Sequence, residues 1–97
     1  MEINLYEIIN GSEIDSSNSC VLIEAIRRKL SEGKKDDIVL DMKNIKSIDA
    51  TGIANLLSIR GLARNISVSN VESEIKDRFE NLGISEIFPT IDIEEVT

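Results

Sequence analysis

The chain has 97 residues, 41 % of them hydrophobic and only 3 % aromatic, which fits one small domain with an aliphatic core. Its net charge of −7, from 18 acidic and 11 basic residues, argues against nucleic acid and anionic membranes as partners, because phosphate contacts need clustered Lys and Arg. One cysteine and no histidine exclude an intrachain disulfide and argue against a zinc site or a histidine-dependent catalytic site.

Targeting signals are missing from the sequence. The N-terminus has no basic region before an apolar run, as a signal peptide would have, and no apolar stretch approaches the roughly 20 residues of a membrane helix. We therefore expect a reducing compartment, most simply the cytoplasm, and a basic or neutral protein as the favoured partner.

The first third of the chain is expected to form a strand and an amphipathic helix. Loosely alternating apolar residues predict a strand over Glu2–Ile9, broken by residues 10–12. Four consecutive N-cap candidates at 16–19 then precede apolar residues at helical spacing from Cys20 to Leu30, and this helix is predicted to end near Gly33.

The middle of the chain is expected to form a buried strand and a second helix. The short apolar run Ile38–Met42, bounded by polar residues, is typical of a strand buried on both faces. The second helix is predicted to begin after Asp49 and to end by Asn65. Its apolar residues cover more than half of its circumference, which is more than one packing face needs.

The last third is expected to form a shorter, more exposed strand at residues 66–69 and a third helix capped by Ser69 or Asn70. Gly83 is predicted to end this helix. Its buried stripe comprises Ile75, Phe79 and Leu82, and the residues expected to pack back beneath it are Ile84, Ile87 and Phe88.

Strands and helices therefore alternate along the chain, with a further strand considered at residues 91–93. This order predicts an α/β domain over residues 1–97. We expect a mainly parallel sheet of about four strands packed with three to four helices.

Few residues point to catalysis or cofactor binding. No phosphate-cradling glycine motif is present, and no cofactor or metal is expected. Asp41 ends the buried strand, where it could be the phosphoacceptor of a receiver domain or could stabilise the strand-to-loop transition by a local hydrogen bond. A receiver needs further acidic residues after its first strand, which residues 9–11 do not supply, so the local bond is preferred. Cys20 is expected to be a small core residue.

The motif Ser47–Gly52 carries the most information. Asp49 is predicted to be the N-cap of the second helix, accepting from the amide of Thr51 or Gly52. A phosphate on Thr51 would meet free helix amides but would be repelled by Asp49, and such a change of surface is what a switch needs.

Four stretches, in the same order, resemble the STAS domain of small anti-sigma factor antagonists: Ser12–Asp15, Ile38–Asp41, Ile48–Leu57 and Leu82–Phe88. The family pattern has Asp-Ser-Ser-Gly at the start of its second helix. The resemblance implies a non-enzymatic partner switch that binds a kinase-type anti-sigma factor and so frees a sigma factor. Phosphorylation of the serine after the motif's Asp would break the complex. By resemblance, the partner-binding residues are Asp15, Asp49, Ala50, Thr51, Gly52 and Ile53, and a partner would cover the excess apolar surface of the helix.

The chain departs from the family pattern at four points. Ala50 occupies the phosphoacceptor position, and Thr51 is then either the substitute acceptor or only a support of the helix start. The second helix is about one turn short of the family pattern. The termini are minimal, so one N-terminal strand and the last helix are expected to be absent or reduced. The alternative is a constitutive, non-phosphorylated adaptor subunit, for example of an ABC-type lipid-transport complex. An enzyme is disfavoured because no catalytic constellation is present.

Overall fold

A computed structural model describes residues 2–30 and 37–91, and within these ranges it has six strands and four helices. The strands are β1 (Glu2–Asn4), β2 (Glu13–Ile14), β3 (Asp37–Asp41), β4 (Ser47–Ile48), β5 (Asn65–Ser69) and β6 (Thr90–Ile91). The helices are α1 (Leu5–Ile9), α2 (Ser19–Leu30), α3 (Ala50–Leu57) and α4 (Ser73–Asn81), and a 3-10 turn follows at Ile84–Glu86.

Four of the strands form one parallel sheet in the order β1-β3-β5-β6. Strands β2 and β4 form a separate parallel pair, in which Glu13 lies opposite Ser47 and Ile14 opposite Ile48. The predicted α/β architecture, with a mainly parallel sheet of four strands and four helices, is confirmed.

The core is built from aliphatic side chains in register across the sheet. Ile3 lies opposite Leu40, and Leu40 opposite Val68, and each of the three is at most 2 % exposed. Because paired residues in a parallel sheet point to the same face, these side chains form a continuous apolar row. Ile26 of α2 and Phe79 of α4 are also buried and belong to the same core.

The prediction of a strand over Glu2–Ile9 is wrong beyond Asn4. The side-chain oxygen of Asn4 accepts a hydrogen bond from the amide of Glu7 (2.9 Å), and this N-cap starts α1 directly after β1. Leu5, Ile8 and Ile9 also fit helical spacing, and Leu5 is fully buried.

Helix α3 is shorter than predicted. It ends at Leu57, where the Ser58 hydroxyl donates to the Asn55 carbonyl (2.6 Å), and the chain continues through turns to β5. Ile59 and Ala63 lie in these turns and are buried in the core. The expected excess of apolar helix surface is therefore wrong, because the chain folds those residues inward.

The last third of the chain corrects two further predictions. Strand β5 lies between β3 and β6 and is as buried as β3, so it is not the more exposed strand. Helix α4 starts at Ser73 and has Glu72 as its N-cap without a side-chain cap bond, and Asn70 lies before the helix in the left-handed region (φ 55°). The caps predicted at Ser69 or Asn70 are wrong.

At the end of α4, Leu82 is 57 % exposed, and its predicted burial is wrong because the helix ends one residue earlier. Gly83 ends the helix at φ 75°, as predicted, and the predicted packing of Ile84, Ile87 and Phe88 is confirmed. The expected helix end at Gly33 and residues 92–93 of the last strand lie outside the described residues.

Candidate partner-binding site

The pairing of β2 with β4 brings two loops together. Ile14 lies opposite Ile48, and the amide of Asp49 donates to the carbonyl of Ile14 (3.0 Å). Because the strands are parallel, the residues that follow them, Asp15 and Asp49, leave the pair side by side. The structure thus places Asp15 beside the loop around Asp49.

Asp49 is the N-cap of α3, as predicted. Its backbone is extended (φ −91°, ψ 178°), and its carboxylate accepts from the amide of Gly52 (2.8 Å). The Asp49 carbonyl accepts from the amide of Ile53 (2.9 Å). The carboxylate also meets the positive end of the helix dipole, so it stabilises the helix start in two ways.

Gly52 is the point where α3 contacts the β2–β4 pair. It is buried, and a Cβ built at this position would lie 2.9 Å from side-chain carbons of both Ile14 and Ile48 and 3.1 Å from the Ile14 carbonyl oxygen. Only glycine fits here without a shift of its neighbours. Ile53, next along the helix, is 6 % exposed. Gly52 and Ile53 therefore pack beneath the Asp49 loop, on its buried side, and neither exposes a side chain to solvent.

Ala50 and Thr51 are exposed in the first turn of α3, and Ala54, one turn further on, is exposed as well. Each carries a small side chain, so no large side chain projects from the exposed surface of the helix start. Within the described residues, the Thr51 hydroxyl makes no hydrogen bond.

The loop between β2 and α2 is held by its own side chains. The Asp15 carboxylate accepts from the Ser17 hydroxyl (2.6 Å) and the Ser17 amide (2.9 Å). Both bonds lower the pKa of Asp15 because they favour the charged carboxylate, and the bond from the Ser17 hydroxyl has the larger effect. Asn18 accepts from the Asp15 amide (2.9 Å) and donates to the Glu13 carbonyl (2.7 Å). The loop therefore presents an ionised Asp15 in a defined position.

Two contacts that were not predicted connect the Asp49 loop to its surroundings. Asn55 of α3 donates to the hydroxyl of Ser19 (2.7 Å), which is 1 % exposed at the start of α2. The guanidinium of Arg78 in α4 donates to the carbonyl of Ile48, directly before the cap. Asn55 is a polar residue on a largely apolar helix, and this pattern could have indicated the first contact. Arg78 is one of several charged residues of α4, so the sequence gives no indication of the second contact.

Cys20 is exposed, so its predicted place in the core is wrong. It lies one position beyond the buried face of α2, to which Ser19, Leu22 and Ile23 belong. The Asn55 amide nitrogen is 4.0 Å from its sulfur.

Asp41 makes the local hydrogen bond that was predicted for it. Its carboxylate accepts from the Lys43 amide (3.0 Å), from the Asn70 side chain (2.9 Å) and from the Asn4 side chain (3.3 Å). Lys43 comes shortly after β3, Asn70 directly follows β5, and Asn4 is the last residue of β1. Asp41 is thus a structural link between three strand ends.

Comparison with known proteins identifies the family. The family model for the STAS domain matches residues 8–95. A search of curated proteins found no match. STAS domains generally mediate protein–protein interactions, and the family is generally non-enzymatic. Across residues 2–30 and 37–91, no helix is long and apolar enough to cross a bilayer. The chain belongs to the STAS domain family.

Proposed function

We propose that the chain is a single STAS domain over residues 1–97 that binds a protein partner in the bacterial cytoplasm and catalyses no reaction. The leading candidate function is that of an anti-sigma factor antagonist, which binds a kinase-type anti-sigma factor and so releases a sigma factor. Its contact surface comprises Ala50 and Thr51, with Asp15 and Asp49 at its border.

The observation that supports this proposal most directly is the exposed, capped start of α3 beside the Asp15 loop. Ala50 and Thr51 face solvent, while Asp49 and the buried Gly52 hold the helix start in place. A surface that is already ordered loses little conformational entropy when a partner binds. The net charge of −7 favours a neutral or basic partner surface.

Regulation is proposed to occur at Thr51. Ala50 has no hydroxyl, so the usual acceptor position cannot be phosphorylated. Thr51 is exposed, and a phosphate on it would add nearly two negative charges close to Asp49 and Asp15. We expect this charge to break the complex, because it would change both the shape and the potential of the contact surface.

A constitutive adaptor is the second candidate, for example as the STAS subunit of an ABC-type lipid-transport complex. The absence of a hydroxyl at Ala50 favours it. In this case α3 would pack on an ATPase subunit without a phosphorylation cycle, and Thr51 would only support the helix start.

Incubation with ATP and a kinase-type anti-sigma factor from the same genome, followed by mass spectrometry, tests the two candidates. The wild type is compared with Thr51→Ala and with Ala50→Ser, which restores a hydroxyl at the usual position. Phosphate on Thr51 in the wild type, lost in Thr51→Ala, supports the switch. Phosphate only on other residues, or on none, in the wild type and in both variants supports the adaptor.

Recovery of the partner from cell extract gives a second, independent readout. A pull-down with the wild-type chain is expected to recover the kinase-type anti-sigma factor if the chain is an antagonist. Recovery of a transporter ATPase instead supports the adaptor, and recovery of neither argues against both candidates.

A further inference from the structure

A cleft of about 580 Å³ lies at the end of α3 that is remote from Asp49. Part of its lining consists of Arg60, Arg64, Ser67, Glu86, Ile87 and Pro89. Because β3 and β5 are parallel, the chain leaves the carboxyl edge of the sheet after Asp41 and returns to the amino edge at Asn65. Helix α3 spans about 12 Å of this return path, so the cleft and the Asp49 loop are separate surfaces.

The charge of this cleft is unusual for so acidic a chain. Arg60 and Arg64 are both exposed, and neither guanidinium makes an ion pair or a hydrogen bond within residues 2–30 and 37–91. Glu86 is the one carboxylate among the lining residues of the described chain, and the Asp37 carboxylate accepts a hydrogen bond from the side chain of the lining residue Asn65 (3.1 Å). The described lining thus presents two guanidiniums and one carboxylate, on a protein with a net charge of −7. Its two guanidiniums can attract an anionic group.

The lining of the cleft is also partly apolar. Ile66 is 5 % exposed, Ile87 is half-buried against the core, and Pro89 is exposed. The carbonyl of Pro89 accepts from the amide of Val68 (2.9 Å), which fixes this wall of the cleft to the sheet. A ligand that fits this cleft would thus combine negative charge with aliphatic surface.

We propose that this arginine cleft, defined by Arg60, Arg64 and Ile87, binds an acidic segment of a protein partner. Carboxylates of the segment pair with the two guanidiniums, and an aliphatic side chain lies on Ile87 and Pro89. Guanidinium groups form two parallel hydrogen bonds to a carboxylate, which gives such pairs a defined geometry. The apolar wall favours a peptide with aliphatic side chains over a phosphate-rich ligand, and the overall charge disfavours nucleic acid.

Fluorescence anisotropy with a fluorescein-labelled peptide, Glu-Leu-Glu-Asp-Leu-Glu-Glu-Leu, tests the proposal on the full chain. We expect saturable binding by the wild type and about tenfold weaker binding by the double variant Arg60→Gln, Arg64→Gln. The matched control is Arg27→Gln, Lys29→Gln, which removes two exposed charges from α2 and is expected to change affinity less than about twofold. Circular dichroism and thermal melting check that both double variants fold.

Several outcomes would overturn the arginine cleft as a site for acidic segments. Equal loss of affinity in the two double variants would show that the peptide responds only to net charge. An all-Glu peptide that binds as tightly as the Leu-containing one would exclude the apolar contact. Tighter binding of a phosphate ester or an RNA oligonucleotide would assign the cleft to another ligand. None of these results affects the Asp49 loop, whose test uses residues 50 and 51.

Discussion

Replacing Gly52 by alanine tests whether the start of α3 depends on close contact with the β2–β4 pair. The added methyl would lie 2.9 Å from carbons of Ile14 and Ile48, closer than such atoms approach in folded proteins, and 3.1 Å from the Ile14 carbonyl oxygen. The two side chains can move slightly, but the carbonyl belongs to the β2–β4 pair, whose bonds would have to shift with it.

The expected cost follows from two opposing effects. Overpacking of a closely packed site costs about 1–3 kcal/mol. Alanine favours a helix over glycine by about 1 kcal/mol, although less in the first turn. Because the gain from alanine is smaller in the first turn, the net prediction for Gly52→Ala is a loss of about 0.5–2.5 kcal/mol in the free energy of unfolding. For a domain of this size each kcal/mol lowers the melting temperature by roughly 4–8 °C.

Urea denaturation followed by circular dichroism measures this loss, and Gly61→Ala is the matched control. A Cβ at Gly61 would meet no atom within 4 Å, and its φ is not in the left-handed region. We therefore expect Gly61→Ala to be neutral or slightly stabilising, by at most about 1 kcal/mol. A Gly52→Ala variant as stable as the wild type would refute the packing argument, as would an equal loss in both variants.

Three further predictions concern the hydrogen bonds of the site. Asp49→Ala is expected to lower the free energy of unfolding by about 1 kcal/mol and Asp49→Asn by much less, because asparagine also caps helices; equal losses in urea denaturation would contradict the cap. Asn55→Ala should cost about 1–3 kcal/mol because it leaves the buried Ser19 hydroxyl without a partner, and adding Ser19→Ala should recover part of that loss. A double variant less stable than Asn55→Ala would argue against this pair. The pKa of Asp15 is lowered from its ordinary 3.8, so its bonds stabilise the fold above that value and this contribution disappears as pH falls through the folded-state pKa. Ser17→Ala should raise the Asp15 pKa, as measured by NMR titration, and an unchanged pKa would exclude Ser17 as the cause.

Local interactions in the site could be predicted from the sequence, since they involve residues near each other in the chain. The cap at Asp49 is one example, because its carboxylate bonds an amide three residues away. The hydrogen bond that the Lys43 amide donates to the Asp41 carboxylate is another. The place of Asp15 beside Asp49 followed from family resemblance, because no local pattern reveals a two-residue strand pair such as β2–β4.

Features that depend on tertiary packing could not be predicted in this way. Helix periodicity continued past Leu57, yet the chain turns there and folds Ile59 into the core. The assignment of Cys20 was wrong because a shift of one residue on a helix moves a side chain from the buried to the exposed face. The bond from Arg78 to the Ile48 carbonyl joins residues 30 positions apart and has no sequence signal.

The distance between the two loops of the site is set by the main chain. The amide of Asp49 bonds the Ile14 carbonyl, and the amide of Lys46 bonds the Ser12 carbonyl (2.7 Å). Neither bond depends on which side chain follows at residues 15, 50 or 51. Mutations at those surface positions can thus change partner preference during evolution while the scaffold stays intact, and related chains can diverge in specificity without refolding the site.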